Sequence, residues 1–137
     1  GYVSDITRTF IVGRAADARQ QEIHDVVREA NGSASAAVRA GMRGRDADAL
    51  ARDYIERRGF GAAFGHSTGH GIGLEIHEAP RLAKTAEAPL APGAVVTIEP
   101  GIYLEGWGGV RIEDDVVLTT DGPERLTTFE RTLLQIG

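Results

Sequence analysis

Three histidines lie within fifteen residues, in the stretch His66-Ser-Thr-Gly-His70-Gly-Ile-Gly-Leu-Glu-Ile-His77-Glu-Ala-Pro80, of a chain that contains only four. Imidazole is the commonest metal-binding side chain and the one that titrates near neutral pH. The glycines between them let the backbone come close to a ligand. Such a run is poor material for a plain strand or helix, so its composition asks for a chemical reason. Further along, Thr97-Ile-Glu99-Pro-Gly101 and Gly109-Val-Arg111-Ile-Glu113-Asp each supply a carboxylate, and Asp5 supplies another near the start. Imidazole and carboxylate together suit manganese, cobalt, iron or zinc. Cysteine is absent, which excludes disulfides and thiolate zinc sites.

Taken singly, an acidic residue near a strand end reads as a solvated group. The case for a metal rests on convergence. Five segments each place a ligand-type side chain on a strand: Asp5, His66 or His70, His77, Glu99 and Glu113. Carboxylates gathered without a cation would repel one another and raise their own pKa values, a penalty that a divalent ion removes. His66 and His70 are four residues apart, but in a glycine-rich strand they would not stack as they do on a helix.

The elements that must position these groups are legible in outline. Tyr2 to Val12 alternates and is rich in β-branched residues, which predicts a strand. Asp5, Thr7 and Thr9 would share its polar face, with Ile6 and Phe10 backing onto a core. Ala15 to Ala30 has helical period through Ile23, Val26, Val27 and Ala30. Asn31-Gly32 looks like its stop signal, although the alanine-rich stretch that follows could carry the helix towards Gly41. A second helix is expected from about Asp46 to Arg58, ended by Gly59. Its charged face, like that of the first, reads as solvated, and so does His24. A loop is expected from Ala79 to Pro92. Strands follow over Ala94–Leu104, where Val95, Thr97 and Glu99 share a face, and Val110–Thr119, where Arg111, Glu113 and Asp115 do. Asp121-Gly122 marks a turn, and Glu130–Ile136 a last short strand. The order of strand, two helices and several strands reads as α+β, with helices packed on one face of a mainly antiparallel sheet.

Composition bounds the rest. Length and an apolar content of 42% are those of one globular domain. A net charge of −5 argues against an electrostatic nucleic-acid partner. No apolar run approaches a membrane span and no signal-peptide pattern opens the chain, which fits a cytoplasmic protein. The glycine-rich run is not a phosphate loop, because no Gly-Lys-Ser/Thr follows it. Trp107 could line a cleft or simply pack in its turn, and Tyr103 could be core or wall.

Five motifs carry a resemblance. Tyr2-Val-Ser-Asp5-Ile-Thr-Arg-Thr-Phe10, His66-Ser-Thr-Gly-His70-Gly-Ile-Gly, His77-Glu-Ala-Pro80, Ile98-Glu99-Pro-Gly-Ile-Tyr103 and Val110-Arg-Ile-Glu113-Asp resemble, in order and spacing, those of the Xaa-Pro dipeptidases and Xaa-Pro aminopeptidases. These are pita-bread metallopeptidases. The Gly-Val-Arg-Ile-Glu-Asp form around Glu113 is similar to the proline-specific branch rather than to methionine aminopeptidases. The resemblance implies a pita-bread fold and a two-metal site, most often manganese, with cobalt or zinc possible, that activates a water to cut the bond before proline. It implies that Asp5 and Glu113 bridge the metals and that His70 and Glu99 bind the first. His66 and His77 would contact substrate and stabilise the tetrahedral intermediate or move protons. Glu99 would relay a proton, and Arg111 would hydrogen-bond carboxylates from behind the metals.

The family's other metal-binding aspartate lies on a strand before the one matched by Asp5, and this chain begins after it. The chain therefore looks like an N-terminally truncated, partial catalytic domain spanning 1–137. The resemblance leads one to expect that the first part of the pita-bread domain and any N-terminal domain are not among these residues. The expectation is one divalent ion bound well and a second weakly, with self-association as a homo-oligomer or pairing with the missing segment. Metal-free hydrolases of the creatinase type and non-catalytic interaction proteins share the fold. Intact Asp5, His70, Glu99 and Glu113 argue against the first, and against the second for the parent protein.

Overall fold

Asp17 opens the first helix of the computed structural model, which describes residues 1–137. Its carboxylate accepts the Gln20 amide at 2.9 Å and the Gln20 side chain accepts the Asp17 amide in return, so two donors at the helix start are satisfied together. The helix, α1, spans Ala18–Ala37. It runs through Asn31-Gly32 instead of stopping there. The reason lies in packing: Asn31 is buried, and its Nδ2 donates to the carbonyls of Ile98 (2.8 Å) and Ile112 (3.2 Å). An asparagine that reads as a helix end is thus a cross-link from helix to sheet. His24 is also buried, because α1 is covered on a wide arc that takes in Ile23, His24, Val26, Val27, Ala30, Asn31, Ala34 and Ser35. The solvated position expected for it is not what the packing allows.

Helix α2 spans Gly44–Arg57 and packs against α1. Ala47, Ala51 and Ile55 enter the shared core as the periodicity requires. Two of its charged residues, Asp48 and Arg52, are buried too, against the reading of that face as solvated. A single 3₁₀ turn, Gly61–Ala63, leads out of it.

The strands form three groups. β1 (Phe10–Val12) pairs in parallel with β9 (Leu134–Ile136). β2 (Gly69–Gly71), β3 (Glu78–Leu82), β4 (Val95–Ile98), β7 (Asp114–Thr119) and β8 (Gly122–Arg125) make an antiparallel sheet in the order β3-β2-β4-β7-β8. β5 (Gly101–Leu104) and β6 (Gly108–Arg111) form a hairpin. The arrangement is α+β and mainly antiparallel, as expected, with the helices on one side.

Several strand boundaries differ from expectation, the last strand being confined to Leu134–Ile136. Of Tyr2–Val12, only the last three residues form a regular strand. Upstream, backbone donors go to isolated partners: Val3 N to Gly73 O, and Asp5 N to the Asp115 carboxylate. A single bridge joins Thr7 to Glu113, so no ladder propagates. Ile6 and Phe10 are exposed and back onto no core. The segment expected as a loop after Ala79 contains most of β3, whose outward residues are polar or small and whose one buried side chain is Leu82. The two long strands are each broken, at Glu99-Pro100 and at Ile112-Glu113. Proline has no amide hydrogen to continue a ladder.

Those breaks matter because they fall at the two glutamates. The carbonyls that Asn31 holds belong to Ile98 and Ile112, the residues immediately before Glu99 and Glu113. Replacing Asn31 with Leu removes both of these hydrogen bonds. The expected cost is roughly 2 kcal/mol of stability, since each such bond contributes about 1 kcal/mol. Urea denaturation of Asn31→Leu against the parent measures it.

Candidate metal centre

Glycine decides the geometry of β2. A Cβ at Gly69 would lie 1.8 Å from Thr97 O, and one at Gly71 would lie 2.2 Å from Ala79 O. Only hydrogen fits at either place, which lets β2 press between β3 and β4. Because side chains alternate, His70 between them projects to the opposite face. Its backbone amide donates to Thr97 Oγ1 at 3.1 Å.

Ligand atoms of Asp5, His70 and Glu113 all lie within 4.8 Å of one another. Glu99 joins them, with its Oε1 3.1 Å from His70 Nε2 and 3.2 Å from the Thr97 hydroxyl. The four residues that the motifs assign to metal are therefore in one place. One hydrogen of the His70 ring is placed by its other contact. Nδ1 lies 3.0 Å from Gly71 O, and a carbonyl only accepts, so Nδ1 carries the hydrogen. Without a second hydrogen on the ring, Nε2 then points a lone pair at a carboxylate oxygen. Two acceptors at that separation need a cation or a proton between them.

Glu113 makes the same demand. It is 3% exposed, and its carboxyl is pushed up to about 7. Burial is the main cause; the negative charges of Glu99 and Asp5 add to it, while the Thr7 hydroxyl and Arg111 oppose it. A divalent ion would reverse the shift by supplying the missing positive charge. The donor set of one imidazole and three carboxylates fits such an ion, manganese, cobalt and zinc included.

Neighbours hold these groups in place. Thr7 Oγ1 donates to Glu113 Oε2 and accepts from Arg111 Nε at 3.1 Å. Arg111 thus reaches Glu113 through the threonine hydroxyl. Arg8 uses every guanidinium hydrogen. It binds the carbonyls of Thr7, Glu113, Phe129 and Glu130 and the Asp114 carboxylate, all at 2.6–2.8 Å. Asp114, fully buried, also accepts from Arg131 Nε at 2.6 Å. The backbone on either side of the Thr7–Glu113 bridge is therefore tied to the segment after β8. Asp115 accepts the Asp5 amide at 3.1 Å.

His66 and His77 stand on the open side. A cleft of about 620 Å³ is lined by His66, His70, His77, Arg81, Glu99 and Arg111, among others. The His77 ring meets that of His70 edge to face at 4.4 Å. His66 Nδ1 lies 2.8 Å from Ser67 O and therefore donates, so Nε2 accepts from Tyr103 Oη at 2.7 Å. Arg111 Nη1 donates to that same hydroxyl at 3.2 Å. Tyr103 is thus part of the wall, linking His66 to Arg111. Trp107 is not: it packs half-buried in its turn beneath Arg19. Sequence reasoning put Thr7 on the face of Asp5 and left Tyr103 open between core and wall, but gave neither a role, and it missed Arg8. A threonine, an arginine and a tyrosine carry no ligand signal, and only the pairing of distant segments reveals them.

The metallopeptidase family M24 model matches residues 1–120. The chain belongs to that family. It is 50% identical over 133 residues to an Xaa-Pro dipeptidase of Pyrococcus furiosus, covering 97% of this chain and 38% of that protein. It is 51% identical over 134 residues to an uncharacterized peptidase, YqhT, of Bacillus subtilis, with 98% and 38% covered. The solved Xaa-Pro dipeptidase from Bacillus anthracis superposes with a TM-score of 0.94 at 54% identity, over 98% of this chain and 38% of that one. The fold is accordingly the pita-bread fold. The M24 chain described here spans about 38% of the length of these relatives. No helix is long and apolar enough to cross a membrane.

The raised Glu113 carboxyl predicts a pH dependence. Its folded pKa exceeds its ordinary value of 4.5, so the folded state binds the proton more tightly. In metal-free protein this contribution to stability is present below pH 4.5 and is lost as pH rises to about 7, by up to about 3 kcal/mol. His24, held below 6.5 chiefly by burial, acts in the opposite sense, destabilising the fold as pH falls below 6.5. The difference between parent and Glu113→Gln isolates the glutamate. Denaturant melts in chelator from pH 4 to 8 should show the parent losing stability relative to the variant as pH rises.

Proposed function

We propose that the chain carries the centre of a divalent-metal exopeptidase that hydrolyses the peptide bond before proline, in Xaa-Pro dipeptides or at the N-terminus of longer peptides. One observation carries the reading. Asp5, His70 and Glu113 converge within 4.8 Å, with Glu99 beside His70, in a chain half identical to proteins named Xaa-Pro dipeptidase. The residues present account for one ion per chain, held by Asp5, His70, Glu99 and Glu113; manganese is the metal proposed. When bound, the ion lowers the pKa of a water and polarises the scissile carbonyl.

The chain's own groups do the rest. Glu99 Oε1 is engaged by the Thr97 hydroxyl and faces His70 Nε2, which leaves Oε2 to accept the proton of the attacking water. The same oxygen passes that proton to the departing proline nitrogen, which leaves as a neutral amine. His77, exposed and edge-on to His70, is placed to donate to the oxygen of the carbonyl under attack. His66, held by Ser67 O and Tyr103, orients the substrate from the cleft wall. Arg111 and Arg81 give the cleft positive charge for peptide carbonyls or a terminal carboxylate. The Arg8–Asp114 ion pair, largely shielded from solvent, lies away from the cleft, and Arg8 fixes Glu113 from behind.

The test is hydrolysis of alanyl-proline by manganese-loaded protein, with alanyl-alanine as the control. Proline-dependent release of alanine is expected. His70→Ala should abolish it, and His66→Ala should lower kcat/KM by roughly tenfold to a hundredfold, the usual range for a misplaced or absent acid–base or orienting group. Equal cleavage of both dipeptides would contradict the proline reading, and cleavage by the metal-stripped protein would contradict the metal one.

A further inference from the structure

Asp48 and Arg52 sit one turn apart on α2, both nearly buried, in a fork-to-fork pair: Nε to Oδ2 at 2.6 Å and Nη2 to Oδ1 at 2.9 Å. A buried ion pair is weak evidence of stabilisation, because burying both charges costs about what their attraction returns. What matters is what else the pair binds. Arg52 Nη1 donates to Phe64 O at 3.0 Å and Nη2 to His66 O at 2.7 Å. Asp48 Oδ1 accepts the Thr68 amide at 2.9 Å, and Asp48 O accepts the Thr68 hydroxyl at 3.1 Å.

Residues 64–68 belong to no helix or strand. Their backbone groups have no ladder to join, and α2 supplies the partners instead. The contacts fall on every second residue, Phe64, His66 and Thr68. They continue through the side chains. The Arg52 guanidinium lies 4.3 Å over the Phe64 ring, and that ring meets His66 edge to face at 5.1 Å. Thr68 O then accepts the Glu99 amide at 2.7 Å. One pair of charges thus holds the loop from behind and stacks against the ring it carries.

We propose that Asp48 and Arg52 are positioning residues for His66, setting its imidazole in the cleft without taking part in metal binding. The consequence for catalysis rests on the peptidase reading above; the consequence for His66 does not. Neither residue hydrogen-bonds Asp5, His70, Glu99 or Glu113, and the pair reaches Glu99 only through the Thr68 backbone, so substitutions here are expected to alter substrate placement more than metal affinity.

The experiment uses Arg52→Lys, which keeps the charge and loses the fork, and Asp48→Asn, which keeps the shape and loses the charge. Imidazole ¹H–¹⁵N spectra of metal-free protein report the His66 ring, assigned by substitution among only four histidines. Both variants should shift and broaden the His66 signals and leave those of His77 in place. Manganese affinity by calorimetry should stay within about threefold of the parent, as expected for groups that reach a metal ligand only through the Thr68–Glu99 backbone bond. Turnover of alanyl-proline should fall by roughly tenfold or more at unchanged metal occupancy. Unmoved His66 signals in both variants would overturn the proposal. So would a loss of manganese affinity as large as the loss of turnover, or failure of both variants to fold, since either would make the pair a general support of the fold. Displaced His66 signals in a protein that never cleaves alanyl-proline would uphold the positioning role and count against the peptidase reading alone.

Discussion

Three carboxylates, those of Asp5, Glu99 and Glu113, stand around one imidazole in a region partly closed to water. Burial disfavours the charge of Glu113 and the like charges of Glu99 and Asp5 add to that cost, so its carboxyl is raised. A fold that only sought stability would not gather them. The surrounding structure reads as the means of keeping these groups together against their own repulsion until a cation takes up the charge.

That work is divided among segments far apart in sequence. Asn31 holds the carbonyls before both glutamates from the helix side. Thr7 and Arg8 hold Glu113 from the N-terminal side, and Arg8 ties that backbone to residues 129 and 130. Thr97 supports both His70 and Glu99 from within the sheet. Gly69 and Gly71 contribute by having no side chain where β2 meets its neighbours. Strand breaks at Glu99-Pro100 and Ile112-Glu113 give each glutamate a backbone freed from the regular ladder. The open side is built separately, by Tyr103, His66 and the buried pair on α2.

How much of this the sequence disclosed depends on the range of the interaction. The ligand types were legible because imidazoles and carboxylates are few and sit in short motifs; the family resemblance singled out Asp5, His70, Glu99 and Glu113 among them, and these four lie together in the fold. Both helices were legible from period, as were the β4–β5 and β6–β7 regions. The extent of α1 was not, because Asn31 carries a strong local stop signal and the two carbonyls that override it lie 67 and 81 residues away. His24, Asp48 and Arg52 looked solvated, since polar type outweighs position in any local reading. β3 was hidden because one of its side chains alone is buried. Burial of polar groups is decided by partners, and partners are set by tertiary pairing.

The central claim is that these four side chains form one cation site in the folded chain. Titration calorimetry of manganese into metal-free protein, beside His70→Ala, tests it most directly. The account predicts one ion per chain in the parent and loss of that binding in the variant with its far-ultraviolet circular dichroism unchanged. Absence of binding in a folded parent, or binding that survives His70→Ala, would contradict it.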